Sequence, residues 1–163
     1  MGSIPRFTKA VIISLNWDSL LKVLIGYVVD PLEDIEPYLQ VAKDDGIQIT
    51  HIFNTHIQAD HISGDRKLAD KTGAKIYMHE SAKVNYNFEP LKDGDILAIG
   101  NPKVKVIHTP GDTPESMSLL FAEYPKTTES IVLTGDTLFR GNVSLLMTLL
   151  QYYQVILASL NVM

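Results

Sequence analysis

An α/β fold is predicted by two observations in this chain of 163 residues. The first half alternates β-branched apolar runs with amphipathic segments of helical period, and the second half sets short apolar runs close together between turn-forming residues. In order, "VLIGYVV" at 23–29 predicts a buried strand closed by Asp30-Pro31. Residues 34–45 place Ile35, Tyr38, Leu39 and Ala42 on one helical face; Asp34 can cap the first turn, Pro37 is tolerated that early, and Gly46 suits the C-terminal cap. "IQITHIF" at 47–53 predicts a second strand, 61–72 a second helix ending near Gly73, and "AKIYM" at 74–78 a third strand. "GDILAIG", "KVKVIHT", "SMSLLFA" and "SIVLTG" then predict strands, with turn chemistry in "LKDGD" and "IGNPK". From Gly141 to Met163 no residue is charged. That run is long enough to span a bilayer, but its Gln, Tyr, Asn, Ser and Thr favour a buried or dimer-forming helix. No repeat or linker interrupts the chain, so residues 1–163 are read as one domain.

Composition narrows the chemistry. The net charge is −5 and Lys and Arg are scattered, so nothing suggests a nucleic-acid surface and no nucleic-acid partner is expected. With no cysteine there is no disulfide, thiolate nucleophile, iron–sulfur cluster or Cys-type zinc site. Any metal must be held by His, Asp, Glu or water. "VIISL", after Arg6 and Lys9, is too short for the apolar core of a secretory signal, and the expected location is the cytoplasm.

Three polar clusters stand just past predicted strands. "THIQADHISG" follows strand 47–53 and offers His56, Gln58, Asp60 and His61. "HTPGDTPES" follows strand 103–107 and offers His108, Asp112 and Glu115; "LTGDTLFRG" follows strand 130–134 and offers Asp136. A strand end fixes position, and a Gly- or Pro-bearing loop then turns a side chain inward. Loops at the carboxyl ends of neighbouring strands converge on one crevice. Three such loops in sequence, each with His or Asp, point to a divalent cation.

"THIQADH", "HTPGDTP" and "TGDTLF" resemble, in that order, the metal motifs of the metallo-β-lactamase superfamily, in its persulfide dioxygenase and hydroxyacylglutathione hydrolase (glyoxalase II) branch. The resemblance covers about residues 26–139; 140–163 diverge. It implies a four-layer αββα sandwich, incomplete in its C-terminal half. It also implies metal ligands at His56, Asp112 and Asp136, with Asp60 and His61 matching the pair that builds a second metal site in the hydrolases. Asp60 is the candidate catalytic residue as well. The chain departs from the pattern at three points: Gln58 and Asp112 stand where the family has His, and no histidine follows His108.

These departures weigh differently on different chemistries. A two-metal hydrolase needs two ligand sets around a bridging water, and the glutamine and the missing late histidine both work against it. A mononuclear iron site of the dioxygenase type needs one ligand from each of three motifs and leaves open positions. The resemblance therefore implies first a mononuclear Fe²⁺ persulfide dioxygenase, one iron per chain. Its alternatives are a Zn²⁺ thioester hydrolase of glyoxalase II type and a catalytically inactive truncated member. The implied partner is a small thiol-derived substrate such as a glutathione persulfide or thioester, with a homodimer through the tail; a membrane partner is not expected. Asp60 can equally cap the following helix, and Asp112 can equally form a turn. His108 is read as orienting its loop, and His51 and His79 as packing residues.

Overall fold

The structure, a computed structural model, describes residues 11–18, 23–57, 62–99, 102–123, 130–139 and 142–143. Strands β1 (Val11–Asp18), β2 (Val23–Val29), β3 (Ile47–Phe53), β4 (Lys75–His79) and β5 (Glu89–Leu91) form one sheet in that order. β1 runs antiparallel to β2, and the other neighbours are parallel. Parallel neighbours need crossovers, supplied by α1 (Glu36–Asp44) between β2 and β3 and α2 (Asp65–Thr72) between β3 and β4. Strands β6 (Ile96–Ala98), β7 (Pro102–His108), β8 (Met117–Glu123) and β9 (Ser130–Leu133) make an antiparallel second sheet. A short antiparallel pair, β10 (Leu138–Phe139) and β11 (Asn142–Val143), follows.

The two faces of the first sheet bury two cores. On the helical face Val28, Ile49, Ile52 and Ile76 pack with Ile35, Tyr38 and Leu68. On the other face Tyr27, Val29 and Phe53 meet Val104, Val106, Met117, Leu119 and Phe121 of the second sheet. Tyr27, Val28 and Val29 alternate between these cores, as the period of two along a strand requires. Phe121 joins the sheets, stacked on Tyr27 at 5.5 Å and edge-on to Phe53 at 6.4 Å. The described residues thus build helix, sheet, sheet: three layers of the αββα arrangement.

Where local signals compete, the boundaries shift. α1 begins at Glu36 with Ile35 at its N-cap, and Asp34 contributes only a 3.2 Å bond from the Glu36 N–H to its Oδ1. α2 begins at Asp65, not near 61, because Ser63 bridges Leu32 in extended form and Gly64 donates to the Pro31 carbonyl at 2.9 Å. Gly46 and Gly73 adopt positive φ at the helix ends, as the cap chemistry predicts. β1, β5 and the β10–β11 pair are additions to the sequence reading. Asn142 and Val143 are strand, where the sequence suggested the start of a helix; the remaining tail lies outside the described residues. Among the described residues no helix is long and apolar enough to cross a membrane.

Candidate metal centre

β3 is the middle strand of the first sheet, and its carboxyl end delivers Asn54, Thr55 and His56 in sequence. All three are buried, His56 with only 6% of its surface exposed. The backbone here is pinned from both sides. Asn54 N–H donates to the Tyr77 carbonyl at 3.0 Å, and Met117 N–H donates to the Thr55 carbonyl at 2.8 Å.

The end of β2 supplies the support beneath. Asp30 is buried, sits at φ 49°, and accepts two bonds from Thr55: backbone N–H to Oδ1 and hydroxyl to Oδ2, each 2.8 Å. The same hydroxyl lies 2.9 Å from His56 Nδ1. A hydroxyl has one proton, and here it goes to the carboxylate. The hydroxyl oxygen is then the acceptor for Nδ1–H, which leaves the Nε2 lone pair facing outward. Nε2 lies 3.7 Å from Asp136 Oδ2.

Asp136 stands in a 3-10 turn, Gly135–Thr137, just past β9. Gly135 is what lets this turn approach: a Cβ there would overlap the Thr55 hydroxyl and lie 2.8 Å from Thr55 Cβ and 3.4 Å from His56 Nδ1. Its φ of +53° also favours glycine. Asp112 arrives from the loop after β7. That loop closes on itself through Thr109 N–H to the Ser116 carbonyl at 2.9 Å and Ser116 N–H to the Thr113 carbonyl at 3.2 Å. Thr109 Oγ1 is 3.1 Å from Thr137 Oγ1, so a buried hydroxyl pair joins the Asp112 and Asp136 loops.

The outcome is a triad: His56, Asp112 and Asp136 each offer one donor atom, all within 4.8 Å of one another. Burial grades across it, with His56 inside, Asp136 half-buried and Asp112 exposed. One imidazole whose lone pair faces outward and two carboxylates suit a divalent cation, and the cleft that Gly135 keeps open admits the carboxylate turn. Gln58, Asp60 and His61, and with them the expected second metal site and the catalytic role for Asp60, lie outside the described residues.

The other described histidines, His51, His79 and His108, do not join this group. His51 packs against Tyr77, ring centroids 5.2 Å apart, and beside Phe53 at 6.3 Å, and burial with the Lys75 charge holds its pKa below the usual imidazole value. His79 and His108 stack face to face at 3.9 Å. His108 Nε2 lies 2.9 Å from the Pro114 carbonyl, which fits the loop-orienting role read from the sequence. What sequence reasoning missed is the support: Asp30 was read only as closing a strand, and Thr55 was passed over. Their spacing of 25 positions gives no local signal, although a Thr directly before the motif histidine was a clue.

Burial raises the Asp30 carboxyl to about 6; the two bonds from Thr55 and the nearby His56 pull the other way, and Asp136 adds to the rise. Its folded pKa therefore lies above the unfolded value of 3.8. The folded chain binds more protons between those values, so stability falls as pH rises from about 4 to about 6, by on the order of 3 kcal/mol. In metal-stripped protein, the urea midpoint of wild type should fall across that window relative to Asp30→Asn, and a constant difference between the two would remove Asp30 as the cause.

Known proteins resemble this chain in both sequence and fold. The model of the family described as "Metallo-beta-lactamase superfamily" matches residues 25–160, running past Phe139 into the tail. Hydroxyacylglutathione hydrolase of Rhodospirillum rubrum is 36% identical over 114 residues, covering 69% of this chain and 42% of that protein. The enzyme of the same name from Nitrosococcus oceani is 37% identical over 116 residues, with the same coverage, 69% and 42%. The chain thus spans less than half the length of these relatives. Among solved structures, a metallo-beta-lactamase from Staphylococcus aureus subsp. aureus COL superposes with a TM-score of 0.68 at 28% identity, over 95% of this chain and 51% of that one. ETHE1 from Myxococcus xanthus gives 0.63 at 26% identity, over 80% of this chain and 59% of that one.

Proposed function

Because the chain belongs to the metallo-beta-lactamase superfamily, we propose that His56, Asp112 and Asp136 hold one divalent cation and that the site acts on a small thiol-derived substrate. The observation that carries this reading is the convergence of three donor groups from three separate strand-end loops within 4.8 Å. One donor from each of three loops fits a mononuclear centre, read as Fe²⁺ from the family resemblance, and the leading reaction is oxidation of a glutathione persulfide, of the persulfide dioxygenase type. A second reading, hydrolysis of a glutathione thioester with Zn²⁺, is favoured by the hydroxyacylglutathione hydrolases among the relatives. An inactive family member is the third outcome that the test must separate.

A bound divalent cation supplies Lewis acidity and open positions for small molecules. The chain's own residues do the rest. Asp30 and Thr55 hold the His56 ring by Nδ1, so that Nε2 is the donor atom. Asp136 brings a carboxylate to the same side, held by the tight turn at Gly135. Asp112, exposed, adds a second negative charge at the mouth of the site. The two carboxylates together offset the charge of a divalent ion, so the loaded centre attracts an anionic glutathione derivative less than one with two imidazoles would.

Metal analysis of the purified chain, with oxygen uptake on glutathione persulfide, tests the reading. One iron per chain and oxygen consumption support the dioxygenase; two zincs and thioester hydrolysis support the hydrolase; a chain that takes up no metal overturns both. Asp112→His restores an imidazole, a better donor for iron and zinc, and should tighten binding by roughly tenfold, the scale on which changes around a metal ligand act. A Kd unmoved by Asp112→His removes position 112 from the ligand set.

A further inference from the structure

Glu115 is a buried carboxylate that neither the donor triad nor the support of His56 uses; only 8% of its surface is exposed. Its Oε1 accepts the backbone N–H of Ile57, directly after His56, at 3.1 Å. The loop that carries Asp112 is otherwise closed on itself, through Thr109, Thr113 and Ser116 and the His108 bond to the Pro114 carbonyl. At the base of that loop, Met117 N–H reaches the Thr55 carbonyl at 2.8 Å. Glu115 makes the second tie, beyond His56, so the two loops are fixed on both sides of the imidazole. A buried carboxylate is costly unless its hydrogen bond is kept, and among the described residues the Ile57 amide supplies that bond.

We propose that Glu115 is a positioning residue for the cation: its bond to the Ile57 amide sets the His56 loop in register with the Asp112 loop, without itself ligating. This rests on the metal reading above. In that role the carboxylate acts as an acceptor, not as a charge. A glutamine keeps an acceptor oxygen at the same place, and an alanine does not.

The test is titration of the full chain with Co²⁺, following the visible spectrum of the bound ion and the Kd by competition with a chromophoric chelator. Glu115→Ala is expected to weaken binding by about ten- to hundred-fold, the usual cost of losing a group that orients a metal ligand, and to alter the Co²⁺ spectrum. Glu115→Gln should restore both to within about threefold of wild type, below the low edge of that range. A general loss of packing would not be rescued in this way. Wild-type binding by Glu115→Ala, or equal weakness in Glu115→Gln, overturns the proposal. If Glu115→Ala does not fold, hydrogen exchange at the Ile57 amide decides: protection in wild type that is kept in Glu115→Gln supports the tie, and free exchange in wild type overturns it. Wild type that binds no Co²⁺ sinks the metal reading itself, whereas wild-type binding with an indifferent Glu115→Ala sinks only the role of Glu115.

Discussion

His56→Ala is expected to cost the chain more than about a hundred-fold in cation affinity, beyond the loss that follows removal of an orienting neighbour. His56 carries the only imidazole of the triad. Without it two carboxylates face each other, one exposed and one half-buried, with no neutral donor to complete the set. The fold should suffer less. The Thr55 hydroxyl keeps its bond to Asp30, and what is lost is one hydrogen bond and a modest buried volume, about 1–2 kcal/mol. Chelator competition on the purified variant reads the first number and urea unfolding of the stripped protein the second. Wild-type affinity in His56→Ala would remove the ring from the ligand set; collapse of the stripped protein would make its role structural.

Gly135→Ala should cost the fold about 3 kcal/mol. Two costs combine: a non-glycine residue at φ +53° is strained by about 1 kcal/mol or more, and overpacking against Thr55 adds a further 1–3 kcal/mol. Gly94→Ala is the control. Its φ is +81°, yet nothing lies within 4 Å of the added Cβ, so only the conformational cost applies. The difference in urea midpoints between the two variants isolates the clash. Because the methyl group presses on Thr55 and lies near His56 Nδ1, Gly135→Ala should also weaken cation binding. Equal stabilities for the two variants would show that Thr55 yields without cost.

Much of this was legible in the sequence because the signals were local. β-branched runs marked Val23–Val29 and Ile47–Phe53, and glycines marked both helix ends. The three donor loops were visible as His and Asp placed just past strands, and the structure brings His56, Asp112 and Asp136 together. What was not legible depends on distant pairing. β1 is a strand because it finds β2, and nothing in "VIISLNWD" announces that partner. β5 is three residues with a proline in the middle, tolerable only because it lies at a sheet edge. Asp30, Thr55 and Glu115 take their roles from residues 25 and 58 positions away, beyond the reach of any periodicity. The ring stack of His79 and His108 likewise joins two sheets that the sequence does not align.

The graded burial of the three donors has a kinetic consequence. The deepest group is anchored at the end of the central strand, and the outermost sits on a self-closed loop at the surface. An ion can leave past Asp112 while the strands stay paired. Loading and stripping should therefore follow the opening rate of one short loop rather than global unfolding, and a chelator should empty the native protein at denaturant concentrations far below its midpoint.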